Sequence, residues 1–392
     1  MLRKRFLGLV VVVLLLLSFL PCYSAEKVVV DKWKIPFITV LTGAIAHAGL
    51  EIQWATQKAV KEINAAGGIA GRPIELKTLD SGYDPTRAVS CMKEAVKGSL
   101  VIIGPVTTME IRACSAIAAQ EGVMDLPVST SISEVSKVYP WAVVFIPSIE
   151  LMARTVSNWL KMYPDIKSVV IFKDIKNPNW IEVAGYYNRF CKEAGVKVLD
   201  IIDVAAESLD VSSPVVRALG KKPDGLLFGT EPAQTARLIV ELHDRGWKKT
   251  DHSACHPAVS DQAFYKVGGE KVNGVYILGF HIDYDYPNPK WQAFIKDFDE
   301  AHGKKGAKPA MYVMPYYDAV YAVKAAIEKA GVTGDPSKLT EERVKIRDYI
   351  RSLKDFPGIY KPFTLDKEGS ALMEIMIAQV KAGKATIVTG KQ

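Results

Sequence analysis

The feature that most constrains this chain is an alternation of apolar strands and amphipathic helices that runs to Pro147 and then starts again. Residues 33–41 (WKIPFITVL) read as a buried strand. After Gly43, Ile52, Ala55, Ala59 and Ile63 recur at spacings of three and four, the mark of a helix packed on one face. Gly67-Gly68 stops that helix. Residues 73–79 give a second strand, and Asp84-Pro85 opens a second helix with Asp as cap and Pro in the first turn. A third strand at 100–103 precedes a helix over 109–121. Past Pro147 come a helix over 149–162, a strand at 168–172, a helix over 180–194 and a strand at 196–202. A helix over 212–219, a strand at 224–228 and a helix over 232–245 follow. Such units, joined by right-handed crossovers, make parallel sheets covered on both faces. The fold class is therefore α/β, with two doubly wound Rossmann-like lobes. These sheets bind ligands beyond the carboxyl ends of their strands, so the loops there and the cleft between lobes are the places to search.

The N-terminus reads as an address. Arg3, Lys4 and Arg5 precede an apolar run from Phe6 to Leu20, and Cys22 and Ser24 suit cleavage after Ser24. This is the pattern of a secretory signal peptide over residues 1–24. A retained anchor is the competing reading, but the run is short for a span of about 20 residues. Cys22 also raises lipid modification, although Pro21 before it fits that processing poorly. The three basic residues supply part of the net charge of +7, and the remainder gives no argument for a nucleic-acid partner.

Enzyme signatures are missing: there is no G-x-S-x-G elbow, no H-E-x-x-H and no G-x-x-x-x-G-K-[ST]. Gly67-Gly68-Ile69-Ala70-Gly71 follows a helix, whereas a phosphate cradle follows a strand. His252, Cys255 and His256 are the one metal-like cluster, with no second cluster to complete a tetrahedron. No metal or cofactor is expected. Cys91 and Cys114 lie on consecutive helices and are either bridged or two buried thiols.

The loop Gly104-Pro105-Val106-Thr107-Thr108-Met109-Glu110 joins the third strand to its helix. Thr107 and Glu110 fit a capping box, which accounts for Thr107 structurally. Thr108 then falls in the first turn, its hydroxyl beside unpaired backbone N–H groups, where a carboxylate can bind. Pro127-Val128-Ser129-Thr130-Ser131 ends the neighbouring strand and adds hydroxyls.

With these residues the chain resembles the extracytoplasmic solute-binding proteins of branched-chain amino-acid-type ABC transporters, of type I periplasmic binding fold. The resemblance is carried by LTGAIAHAG (41–49), KEINAAGGIAGRPIEL (61–76), DSGYDPTRAV (80–89), IIGPVTT (102–108) and LPVSTS (126–131). SDQAF (260–264), NGVYILGF (273–280) and PYYDAVYAVKAAIEKAG (315–331) continue it. It implies two lobes joined by a three-crossing hinge, at 27–147 plus 281–358 and at 148–280 plus 359–392. It also implies closure on a small carboxylate-bearing ligand and delivery to an inner-membrane permease by a periplasmic monomer. Carried over position by position, Thr108, Ser129 and Thr130 match the carboxylate-binding hydroxyls, with Thr107 beside them. Trp180 matches an aromatic that closes over the ligand, Glu231 a contact from the next loop, and Ala48 a place where some relatives carry a large aromatic.

Two departures bear on the ligand. Amino-acid binders of this family place an acid after the strand near 253–255 to meet the ligand ammonium, and here Ala254-Cys255-His256-Pro257 stands there, with no acid until Asp261. Tyr83 and Thr107 occupy positions where some members carry a disulfide. The intact carboxylate half and the missing ammonium half point to an aliphatic or aromatic organic acid, with His256 available to a polar substituent and Glu231 the remaining partner for an amine. A periplasmic sensor on the same scaffold is the alternative function, and an exported enzyme a weaker one.

Overall fold

In the computed structural model residues 30–43, 45–205, 207–257, 262–303 and 306–389 are described. The expected signal peptide, Cys22 and Asp261 lie outside the described residues. Strand β1 (Trp33–Thr39) is followed by helix α1 (Ala46–Ala65), whose buried face carries Ala48, Ile52, Ala55, Ala59 and Ile63. The helix stops as the glycine pair demands. Gly67 and Gly68 have positive φ (100° and 77°), and the Gly68 N–H closes on the Ile63 carbonyl at 2.9 Å.

Strand β2 (Ile74–Asp80) leads to α2 (Pro85–Ala95), where Asp84 accepts from the N–H groups of Thr86 and Arg87. Strand β3 (Val101–Ile103), α3 (Thr108–Gln120), β4 (Met124–Leu126) and the short α4 (Ile132–Ser136) complete this run. The sheet is parallel throughout, in the order β2-β1-β3-β4. Alternation along the strands feeds two cores. Phe37 and Ile103 face α1, while Ile38 and Ile102 pack with Met92 and Cys114 on the other side.

The second run begins with α5 (Ile149–Ala153) and α6 (Thr155–Met162). These replace the single helix expected over 149–162, interrupted where the Thr155 hydroxyl bonds back to the Met152 carbonyl at 2.6 Å. Then come β5 (Ser168–Asp174), α7 (Pro178–Glu193), β6 (Lys197–Val204), α8 (Ser212–Gly220), β7 (Gly225–Gly229) and α9 (Pro232–Asp244). Strand β8 (Ser253–Cys255), α10 (Gln262–Gly268) and β9 (Tyr276–Gly279) follow.

The chain then returns to the first lobe through α11 (Pro289–His302), α12 (Met314–Lys329), α13 (Leu339–Arg351), β10 (Thr364–Leu365) and β11 (Ala371–Leu372). It ends in β12 (Met376–Lys381) and β13 (Lys384–Thr389), which extend the second sheet to seven strands in the order β13-β12-β9-β8-β7-β5-β6. The first five strands of that sheet are parallel; β12 and β13 add antiparallel. The last passage between lobes lies beyond Ala371, later than the expected 358–359. Tyr360, Phe363, Leu365 and Ala371 belong to the first core, where the Phe363 ring lies 5.1 Å from Phe145 and 5.4 Å from Phe356. The four described cysteines, Cys91 and Cys114 included, are free thiols.

One packing contact fixes the start of α1 over the end of β1. A Cβ on Gly49 would lie 1.6 Å from the Val40 carbonyl oxygen, whereas one on Gly185 in α7 would meet nothing within 4 Å. Gly49→Ala is therefore expected to cost ~1–3 kcal/mol as overpacking. Gly185→Ala should stabilise by ~0.5–1 kcal/mol through helix propensity. Urea denaturation midpoints that move in opposite directions are the expected result.

Candidate ligand-binding cleft

In the first sheet the strand order reverses between β1 and β3, so the loops entering α1 and α3 flank a crevice. Thr107 caps α3: its hydroxyl accepts from the Glu110 N–H at 3.3 Å and Glu110 Oε2 accepts from the Thr107 N–H at 3.1 Å. The capping box is thus formed, and the Thr107 hydroxyl is occupied by the backbone rather than offered to the cleft. Glu110 is fully buried, and its other oxygen accepts from Ser81 Oγ at 2.5 Å, tying the loop after β2 to the start of α3. From below, the Tyr316 hydroxyl on α12 donates to the Pro105 carbonyl at 2.9 Å.

Thr108 opens α3 with its Oγ1 2.7 Å from Ser129 Oγ, and the Ser131 N–H donates to Ser129 Oγ at 3.1 Å. One hydroxyl proton serves the Thr108–Ser129 contact; the other is left for a third oxygen. The Thr108 and Met109 N–H groups precede the first intrahelical acceptor, at the positive end of the helix dipole. Hydroxyl, backbone donors and dipole together suit a carboxylate. Ala48, buried in the first turn of α1, puts only a methyl group at its position.

In the second sheet the order reverses between β5 and β7, and the two loops there are joined directly. Asn177 caps α7 through the Asn179 N–H at 3.0 Å and donates its Nδ2 to Glu231 Oε1 at 2.7 Å. Glu231 precedes Pro232 at the start of α9 and gives no cap bond to its own helix. Tyr83, on the first-lobe loop after β2, lies within electrostatic reach of Glu231. Its phenol pKa is raised by burial first and then by the carboxylates of Glu231 and Glu110. Three hydroxyls of one first-lobe segment also reach α7. Thr130 Oγ1 donates to Asn179 Oδ1 at 2.7 Å, and Ser131 and Ser133 both donate to Glu182 Oε2, the latter at 3.0 Å. The Thr130 proton is therefore directed across the cleft, not toward a ligand carboxylate.

Trp180, Cys255 and His256 lie deeper than expected. Trp180 is 3% exposed, because Trp180, Val183, Ala184 and Tyr187 form the face of α7 that packs on the sheet. Its ring meets His256 edge-on at 5.7 Å, and Cys255 Sγ donates to the Tyr276 carbonyl at 3.4 Å. Neither the indole nor the imidazole presents an open face. Burial first, and then the neighbouring His281, push the His256 pKa down to about 3, so the ring is neutral. His252 ends the short turn before β8, its Nδ1 2.9 Å from the Asp224 carbonyl oxygen, so the metal-like triplet is not assembled. Among the described residues no group of three His, Cys, Asp or Glu side chains is placed to hold a metal.

Sequence reasoning missed Tyr83, Asn177, Asn179 and Glu182. Asn177-Pro178 carries a readable helix-start signature, but the cross-lobe pairings, about 50 residues apart in sequence, leave no local trace.

With this geometry in hand, the chain matches the family model described as periplasmic binding protein over residues 32–385. A Leu/Ile/Val-binding protein homolog of Brucella melitensis is 26% identical over 313 residues, 78% of this chain and 82% of that one. Two solved structures share the fold. LivJ of Streptococcus pneumoniae, a branched-chain amino acid transporter substrate-binding protein in complex with isoleucine, has a TM-score of 0.75 at 21% identity, covering 91% of this chain and 99% of that one. An ABC-transporter solute-binding protein of Rhodopseudomonas palustris, in complex with 3,4-dihydroxybenzoic acid, has a TM-score of 0.74 at 20% identity, covering 91% and 95%. No helix among the described residues is long and apolar enough to cross a membrane.

Four buried ionisable groups give stability a definite pH dependence. His281, like His256, is depressed by burial, to about 4, against an ordinary 6.5. Below about pH 6.5 the unfolded chain takes up protons that these rings refuse, so their contribution is full above that pH and is lost as pH falls. Asp125 and Asp318 are pushed up to about 7 by burial, so their contribution is full below 3.8 and is lost as pH rises through 7. The two sets oppose each other between about pH 4 and 6.5. Relative to the parent protein, lowering the pH across that window should shift the urea midpoint upward in His281→Gln and downward in Asp318→Asn, which can still accept from the Ile359 N–H.

Proposed function

The chain belongs to the periplasmic binding protein family, and on that premise we propose that it is the substrate-binding component of an ABC importer. It closes around a small carboxylate-bearing ligand and passes it to a membrane permease. It is made with the signal peptide over residues 1–24, works in the periplasm as a monomer, and performs no chemistry. The observation that carries this reading is the Thr108–Ser129 hydroxyl pair, 2.7 Å apart at the open N-terminus of α3. An anion there gains a hydroxyl, backbone N–H groups and the helix dipole together, without a basic side chain.

The ligand class is read from the residues that stand where an acid is expected. At the positions expected to oppose an ammonium, Cys255 is engaged with the Tyr276 carbonyl and His256 is neutral and buried. Neither group supplies a negative charge to a bound ammonium, whose burial without one is costly, so the reading favours an organic acid without an amine, aliphatic or aromatic. Glu231 is the acid left for an amine, and its carboxylate already accepts from Asn177.

Calorimetric titration with 3,4-dihydroxybenzoate and with L-leucine tests both parts. Binding of the benzoate and not of leucine is expected; leucine binding alone overturns the ligand class. Thr108→Val should weaken binding about ten- to hundredfold, the effect of losing a hydrogen bond to a charged group. Glu231→Gln should not weaken binding of an acid that carries no amine.

A further inference from the structure

The three hydroxyl contacts to α7 share a geometry that ligand recognition alone does not require. Asn179 and Glu182 stand three residues apart, on one face of that helix. Opposite them, Thr130, Ser131 and Ser133 belong to the segment that follows β4. Thr130 donates to Asn179, and Ser131 and Ser133 converge on a single oxygen of Glu182. Ser131 is fully buried, so its hydroxyl has no water to return to in this arrangement. Its backbone N–H donates to Ser129 Oγ, the partner of Thr108. A continuous hydrogen-bonded path therefore runs from the candidate carboxylate site to the contact between lobes.

From this juxtaposition we infer that Glu182, with Asn179 beside it, is a positioning residue that clasps the two lobes together and sets how long the closed form lasts. It touches no ligand. Its effect is on the fraction of molecules in the binding-competent form, by which apparent affinity is scaled. The inference rests on the proposed closure around a ligand, but its consequence is measurable without one. A carboxylate that accepts two hydroxyls makes charge-assisted bonds, about twice as strong as neutral ones, and these exist only when the lobes meet. Glu182→Ala removes them from one side, and the double variant Ser131→Ala/Ser133→Ala removes them from the other. Glu182→Gln keeps an acceptor oxygen for both hydroxyls.

The test is single-molecule energy transfer on the full mature chain, with one dye on each lobe, in buffer alone and then with 3,4-dihydroxybenzoate or L-leucine added. Closed-state dwell times should shorten about tenfold or more in Glu182→Ala and in the double serine variant. Combining all three changes should shorten them no further, because the same bonds are broken from either side. Glu182→Gln, which keeps the acceptor but loses the charge, should restore part of the dwell time. Equal dwell times in wild type and Glu182→Ala, or a Glu182→Gln protein that behaves like Glu182→Ala, would overturn the clasp. If Glu182→Ala does not fold, the serine variant carries the same comparison from the other lobe. Failure of both added compounds to bind, with dwell times altered as expected, would count against the proposed ligand and leave the clasp standing.

Discussion

The buried carboxylate of Glu110 is the contact on which the cleft depends. It accepts from the Thr107 backbone on one side and from Ser81 on the other, and it has no exposed surface. Two loops that leave different strands are thereby held in one arrangement. Thr108 follows the cap directly, so its hydroxyl and N–H take their direction from that arrangement. A carboxylate placed among hydroxyl and backbone donors, with no cation paired to it among the described residues, makes a polar network that is stable only when complete. Disturbing Ser81 or Thr107 would reach Thr108 without touching it.

The two walls of the cleft differ in chemistry. The first lobe offers neutral hydroxyls and a helix N-terminus; the second offers Asn177, Asn179, Glu182 and Glu231 at the start of α7 and α9. The carboxylates thus stand on the second wall, and the hydroxyls and helix N-terminus on the first. The second wall is itself braced, since Asn177 spans the two loops at the point where the strand order reverses. Tyr83, on the first-lobe loop after β2, lies within electrostatic reach of Glu231 in that brace.

Much of the fold was legible because its signals are local. The three-and-four spacing of α1, the Asp84-Pro85 helix start and the Thr107–Glu110 box each act within a few residues. The same logic shows where the reading of Trp180 went astray. Trp180, Val183, Ala184 and Tyr187 follow the buried spacing that marked α1, and weighing that run would have put the indole in the core. The partner of Thr130 was not legible, since the cap residue Asn177 fixes where α7 begins but not which lobe Asn179 will meet. Residues 359–371 were misplaced for a related reason. They form only short strands, so their allegiance to the first core comes from long-range packing of Tyr360 and Phe363 rather than from any periodic pattern.

The return of the chain to the first lobe and its last passage to β12 have a consequence for how the molecule is assembled. The first core draws on residues on both sides of the second run, from Trp33 to Phe145 and again from Phe280 to Ala371. The second sheet, in turn, seats β12 against β9 only after that whole second stretch has been made. Neither half is a contiguous piece of chain, so a ribosome releasing residues in order cannot complete one before starting the other. Contacts this distant in sequence close late and slowly. Until the stretch from Tyr360 through β12 is available, apolar surface of both halves stays uncovered, the condition in which a nascent chain most needs a chaperone.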